Sequence, residues 1–153
     1  AHRVSTANPH TVTLEQARTA ANTVSGEVNF QDNLLTRPLL KDYGEEVATP
    51  SSSSGTLTLD LTTGNVFDVT LTENVSTLTI SNPTASGDAC SFTLKLAQDG
   101  TGSRTFAWPS SIEWAGGSAP TITATASAYD VYTFFTVDGG TTWHGFTAGQ
   151  DLS

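Results

Sequence analysis

Cysteine is nearly missing from this chain of 153 residues, with Cys90 standing alone. No disulfide can form within one chain, and a lone thiol next to Ala89 and close to Phe92 reads as a small core residue rather than a nucleophile. Redox chemistry is not indicated. Methionine is absent, and basic residues are scarce, six Lys and Arg against fifteen Asp and Glu. The formal net charge of -9 leaves no basic patch to neutralise phosphates, so nucleic acid and anionic membranes are poor partners. No run approaches the ~20 apolar residues of a membrane helix, and no basic-then-apolar leader precedes the first motif, so no membrane insertion is expected. What is plentiful is threonine, serine and glycine, a composition suited to many strands and turns.

The chain reads as two parts joined by "ATPSSSSG", a Pro-Ser-Gly stretch with no apolar residue after Ala48. Residues 1–50 form an N-terminal arm and residues 55–153 a β-domain. Within the arm, "TLEQARTAANTV" predicts one short helix over about 13–24. Thr13 is its N-cap with Gln16 three residues on, Gly26 stops it, and Leu14, Ala17, Ala21 and Val24 share one face. Three turns are too few to stand alone in water. That face suits either close approach between helices of identical chains or packing on its own chain's core. In "NLLTRPLLKDYGEEV", Leu34, Leu35, Leu39 and Leu40 flank Pro38 without a local partner. Burying each contributes about 1.5–3 kcal/mol, so these leucines are expected, with Leu14, Ala17, Ala21 and Val24, to form a subunit interface in a symmetric homo-oligomer.

After Gly55 the period changes to two. "TLTLDL" places Leu57, Leu59 and Leu61 on one face and "VFDVTLT" does the same with Phe67, Val69 and Leu71. "STLTI", "CSFTLKLA" and "TITAT" repeat the alternation, with Gly-, Pro-, Asn- and Asp-rich turns between them. "AYDVYTFFTV" is apolar on both faces, as in a central strand covered twice or one whose second face meets another subunit. With "SRTFAWP" and "TTWHGF" the count reaches about eight or nine strands. The expected fold is all-β, an antiparallel sandwich or jelly roll.

Chemistry is thinly provided for. His2, His10 and His144 are scattered without metal-ligand spacing, and no nucleophile elbow or phosphate loop occurs. Asp60 and Asp68 sit on outward faces of neighbouring strands and read as solvated surface rather than a glycosidase pair. "TVDGGTTWHGF" resembles the Asp-box hairpin of sialidase blades, with Thr136, Asp138, Gly140, Thr142 and Trp143 in the matching positions. The residues themselves explain the likeness, since Asp138-Gly139-Gly140 supplies a tight turn between two apolar runs. No cofactor, metal or catalytic residue is expected. Exposed aromatics beside polar groups suit recognition, which makes Trp114, Trp143 and His144 candidates for contact with a receptor or glycan, against the commoner role of tryptophan as packing.

The succession "LKDYGEEV", "SGTLTLDLTTGNVFDVTLTENVSTLTISNP", "SGDACSFTLKLAQDGTGSRTFAWPSSIEWAGGSAP" and "AYDVYTFFTVDGGTTWHGFTAG" resembles the C-terminal β-domain of tail-fibre and related appendage proteins of tailed bacteriophages, over roughly residues 39–150. The resemblance implies a homotrimeric, enzymatically inert virion protein displayed on the particle and used in host attachment. Its implied partners are its own copies, other virion proteins through the N-terminal arm, and a host surface glycan or receptor. A capsid decoration protein or head fibre stays open beside the tail fibre, and a carbohydrate-binding module is the third reading.

Overall fold

The computed structural model describes residues 36–153. The expected helix over 13–24, and with it Leu14, Ala17, Ala21, Val24, Leu34 and Leu35, lies outside the described residues. The chain divides between Lys41 and Asp42. Residues 42–50, read from the sequence as the end of the arm, therefore belong with the β-domain. On the other side of that division, Leu39 and Leu40 are 96% and 62% exposed.

From residue 42 onward the protein is mostly β. Its eight strands are β1 Val47–Ala48, β2 Thr56–Asp60, β3 Val66–Leu71, β4 Thr77–Ser81, β5 Cys90–Gln98, β6 Ile112–Trp114, β7 Tyr129–Thr136 and β8 Trp143–Leu152, with one 3-10 turn at Ala115–Gly117. The period-two reading places the faces correctly. Leu57 and Leu59, then Phe67, Val69 and Leu71, then Phe92, Leu94 and Leu96 all point into one core, while Thr56, Thr58 and Thr70 face out. Two sheets enclose that core in a sandwich-like arrangement, a six-stranded one in the order β1-β3-β5-β7-β8-β6 and a two-stranded one of β2 and β4.

The expectation of an all-antiparallel sheet is overturned. β1–β3, β3–β5, β2–β4 and β6–β8 are parallel, and only β5–β7 and β7–β8 are antiparallel. The cause lies in the turns. Between β2 and β3, Asp60 accepts hydrogen bonds from the backbone and hydroxyl of Thr62, while its own carbonyl accepts from the Thr63 N–H. This turn carries the chain across to the opposite sheet instead of back along the same one. From β1 to β5 successive strands alternate between layers, so each layer collects every second strand, and strands two apart run the same way. Parallel neighbours normally need a long crossover; here the crossover is the strand in the other layer. Only after β5 does the chain turn within one sheet, and antiparallel pairing begins there.

Two segments expected as strands are not. "SRTFAWP" contributes a single bridge, Phe106 to Val75, and "TITAT" contributes none. The backbone of 121–124 is instead bound by side chains. Thr123 N–H donates to Asp130 Oδ2 at 2.7 Å, Thr123 O accepts from Gln98 Nε2 at 2.7 Å, and Thr121 O accepts from Gln150 Nε2 at 2.8 Å. Every buried peptide group needs a partner, and side-chain partners removed the need for a ladder. Conversely, β1 and β6 were not anticipated because runs of two and three residues carry no periodicity. β1 is docked by Asn65 and Val66, whose N–H groups both donate to Glu46 O.

Candidate recognition surface

The β7–β8 hairpin is built by two side chains that bond to its own backbone. Thr136 Oγ1 accepts from the N–H of Asp138 and of Gly140 and donates to Asp138 Oδ1 at 2.8 Å. The Asp138 carboxylate in turn accepts the Thr142 N–H, at 3.0 and 3.1 Å from its two oxygens. The Thr142 backbone bond, then the Thr136 hydroxyl, hold the Asp138 carboxyl below the usual carboxylate range. Gly139 and Gly140 supply φ of 70° and 79°, values at which a side chain would be strained. Trp143 then enters the core at 2% exposure, with its ring edge to face against Phe92 at 5.2 Å. Asp138 is thus engaged by its own turn, and the Asp-box likeness is one of hairpin physics.

Beside β6 the inner layer is closed by side chains and loops rather than by strands. Phe106, Trp108, Trp114, Tyr132 and Phe134 form a continuous aromatic cluster, with Trp108 4.7 Å from Phe106, 4.9 Å from Trp114 and 4.8 Å from Tyr132. Trp108 Nε1 donates to Pro120 O at 3.1 Å. The stretch that carries Pro120 is the one fastened through Gln98, Asp130 and Gln150. Burial alone would raise the Asp130 pKa, but hydrogen bonds from Thr123, Asp151 and Tyr132 outweigh it and hold the carboxyl below its usual range. Burial, and then the Asp130 carboxylate, push the Tyr132 hydroxyl far above its ordinary value, so it stays a donor to Asp130.

The outer face of the six-stranded sheet carries no second layer among the described residues. Register places Ser91, Phe135, His144 and Glu113 in one row across it, and Val47, Val66, Thr93, Thr133 and Phe146 in the next. Phe135 and Phe146 are 39% and 49% exposed and lie parallel, 6.0 Å apart. His144 tilts over Phe135 at 4.8 Å, with its Nδ1 3.6 Å from Glu113 Oε2. Further along, Lys95 pairs with Asp68 at 3.0 Å and lies over the Tyr129 ring. The face therefore sets exposed Phe135, Phe146 and Val47 among threonines and a matched Lys95–Asp68 pair, a composition suited to contact.

A family model described as "Putative phage tail fibre C-terminal domain" matches residues 49–142. The match covers more than half of the chain, from just after β1 through β7 and the hairpin turn. The chain belongs to this family. It is a structural fibre protein of a phage and is virion-associated. No curated protein and no solved structure matches the chain.

On this tail-fibre domain the three residues singled out from the sequence fall in three different settings. Trp143 is a core residue, which corrects its reading as a contact, because the strand alternation that follows the turn points it inward. Trp114 is half-buried at the edge strand β6, resting on Gly145, where a Cβ would come within 2.9 Å of the indole. His144 lies on the outer face with Phe135 and Glu113. Trp114 and His144 therefore serve opposite sides of the sheet. Sequence reasoning did not single out Phe135, Phe146 or Glu113. A signal for the first was present in "AYDVYTFFTV", whose second apolar face is the exposed one.

Proposed function

We propose that this tail-fibre domain is a non-catalytic subunit of a homotrimer that works at the particle surface in host adsorption. The observation that carries the reading is the exposed apolar face around Phe135 and Phe146. Two copies of a chain with net charge -9 repel unless they meet through a surface of low charge, and on this face Lys95 is paired with Asp68. Contact that repeats around a threefold axis, each copy turning this face toward the next, closes such an oligomer at three subunits.

The non-catalytic reading is supported by what the carboxylates do. Asp60 is bound by Asn82 and Thr62, Asp99 by Arg104 and the backbone of Thr101 and Gly102, and Asp138 by its own turn. All of them, with Asp130, hold structure rather than face a cleft in pairs. Sedimentation of the full chain at micromolar concentration tests the assembly. The expected species is a trimer that dissociates on combined Phe135→Ser and Phe146→Ser substitution, and a monodisperse monomer refutes it. Labelling the protein on particles tests its place, with label at the tail expected. Label on the capsomers would replace the adsorption fibre with a head decoration protein or head fibre.

A further inference from the structure

Trp108 and Trp114 wall an open cleft of about 540 Å³ beside β6, completed by Pro109, Ser110, Glu113 and Gly117 among others. Of these lining residues only Glu113 also borders the outer face, beside His144. The aromatic walls of the cleft are rigid. The two indoles meet edge to face, Trp108 is tied to Pro120 O, and Trp114 is seated on Gly145. Fixed aromatic surface left partly open gives the C–H face of a ring ligand somewhere to pack without ordering the protein further.

The polar groups of the cleft suit hydroxyls. Ser110 donates and accepts, and the Glu113 carboxylate is an acceptor on a side chain 68% exposed. The His144 nitrogen, 3.6 Å away, is too far to occupy it with a hydrogen bond. Trp114 Nε1 reaches neither solvent nor an acceptor among the described residues. With no exposed surface that nitrogen offers a ligand nothing, and polar recognition in the cleft falls to Ser110 and Glu113. Charge narrows the class further, since the lining holds one carboxylate and no cation on an acidic chain. Carboxylated and phosphorylated ligands are disfavoured there.

We propose that this cleft binds a neutral pyranose, a hexose or N-acetylhexosamine unit of a surface polysaccharide. The inference rests on the adsorption reading above for the source of that polysaccharide. The test is an array of neutral and anionic bacterial surface glycans probed with the labelled full chain. Binding is expected on neutral glycans only. A neutral glycan that binds should then shift the indole N–H resonances of Trp108 and Trp114 while leaving that of Trp143, sealed in the core, unmoved.

Glu113→Gln and Ser110→Ala, both at exposed positions, should each weaken binding about tenfold with unchanged near-UV circular dichroism. A blank array, a response to anionic glycans alone, or binding indifferent to both substitutions overturns the proposal. Competition of the purified chain with phage for host cells separates the two readings. Competition with a blank array removes the saccharide site and keeps adsorption, through a receptor of another kind. Glycan binding without competition keeps the site and removes the adsorption role.

Discussion

Asp130→Ala removes the acceptor at the centre of the loop fastening. The carboxylate, on a residue 1% exposed, takes hydrogen bonds from Thr123 N–H at 2.7 Å, the Tyr132 hydroxyl at 2.9 Å and Asp151 N–H at 3.0 Å. Asp151 N–H keeps a second acceptor in Thr123 Oγ1 at 3.1 Å, so two donors are left without partners. An unsatisfied buried donor costs about 1–3 kcal/mol, which puts the loss for two at about 2–6 kcal/mol, centred near 4 kcal/mol. Urea unfolding at fixed protein concentration should show a lowered midpoint with an unchanged slope, and Tm should fall by more than about 10 °C. The pH dependence adds a second check. The folded pKa of Asp130 lies below its unfolded value of about 3.9, so its contribution is complete above that value and lost as pH falls through the folded pKa. The gap between wild type and variant should therefore hold at neutral pH and narrow below about pH 4. A loss under about 1 kcal/mol at neutral pH, or a gap constant with pH, refutes the assignment of this carboxylate as the clasp of residues 121–124.

Asp138→Ala should lower Tm and loosen only the hairpin, seen as faster amide exchange at Gly140 and Thr142, and the wild-type hairpin should lose protection as pH falls below the carboxylate range. Trp143→Ala empties a core site against Phe92 and should cost about 3–5 kcal/mol in denaturant unfolding; a near-neutral result would return Trp143 to the surface. Gly145→Ala drives a methyl into Ile112 and the Trp114 ring, both 2.9 Å from the added carbon. It should displace the indole, changing Trp114 fluorescence and near-UV circular dichroism while leaving the Trp143 indole resonance in place.

Alternation of Leu57, Leu59, Phe67, Val69, Phe92 and Leu94 determined by itself which side chains enter the core, because a strand offers only two faces and the apolar one must leave water. It also fixed the hairpin, since Thr136, Asp138, Gly139 and Gly140 act on neighbours within four residues. Alternation names a face and never a partner. Whether β3 pairs with β2 or β5 depends on whether a five-residue turn stays in its sheet or crosses to the other, and that was settled by Asp60, Thr62 and Thr63 with the packing of both layers around them. Residues 121–124 carry a strand pattern, yet Asp130 from the next strand, and Gln98 and Gln150 from farther along the chain, claim their backbone. Trp143 and Trp114 look alike in the sequence as tryptophans near turns. Only the tertiary structure sealed one against Phe92 and left the other in the wall of a cleft, because exposure belongs to the assembled layers and not to the residue.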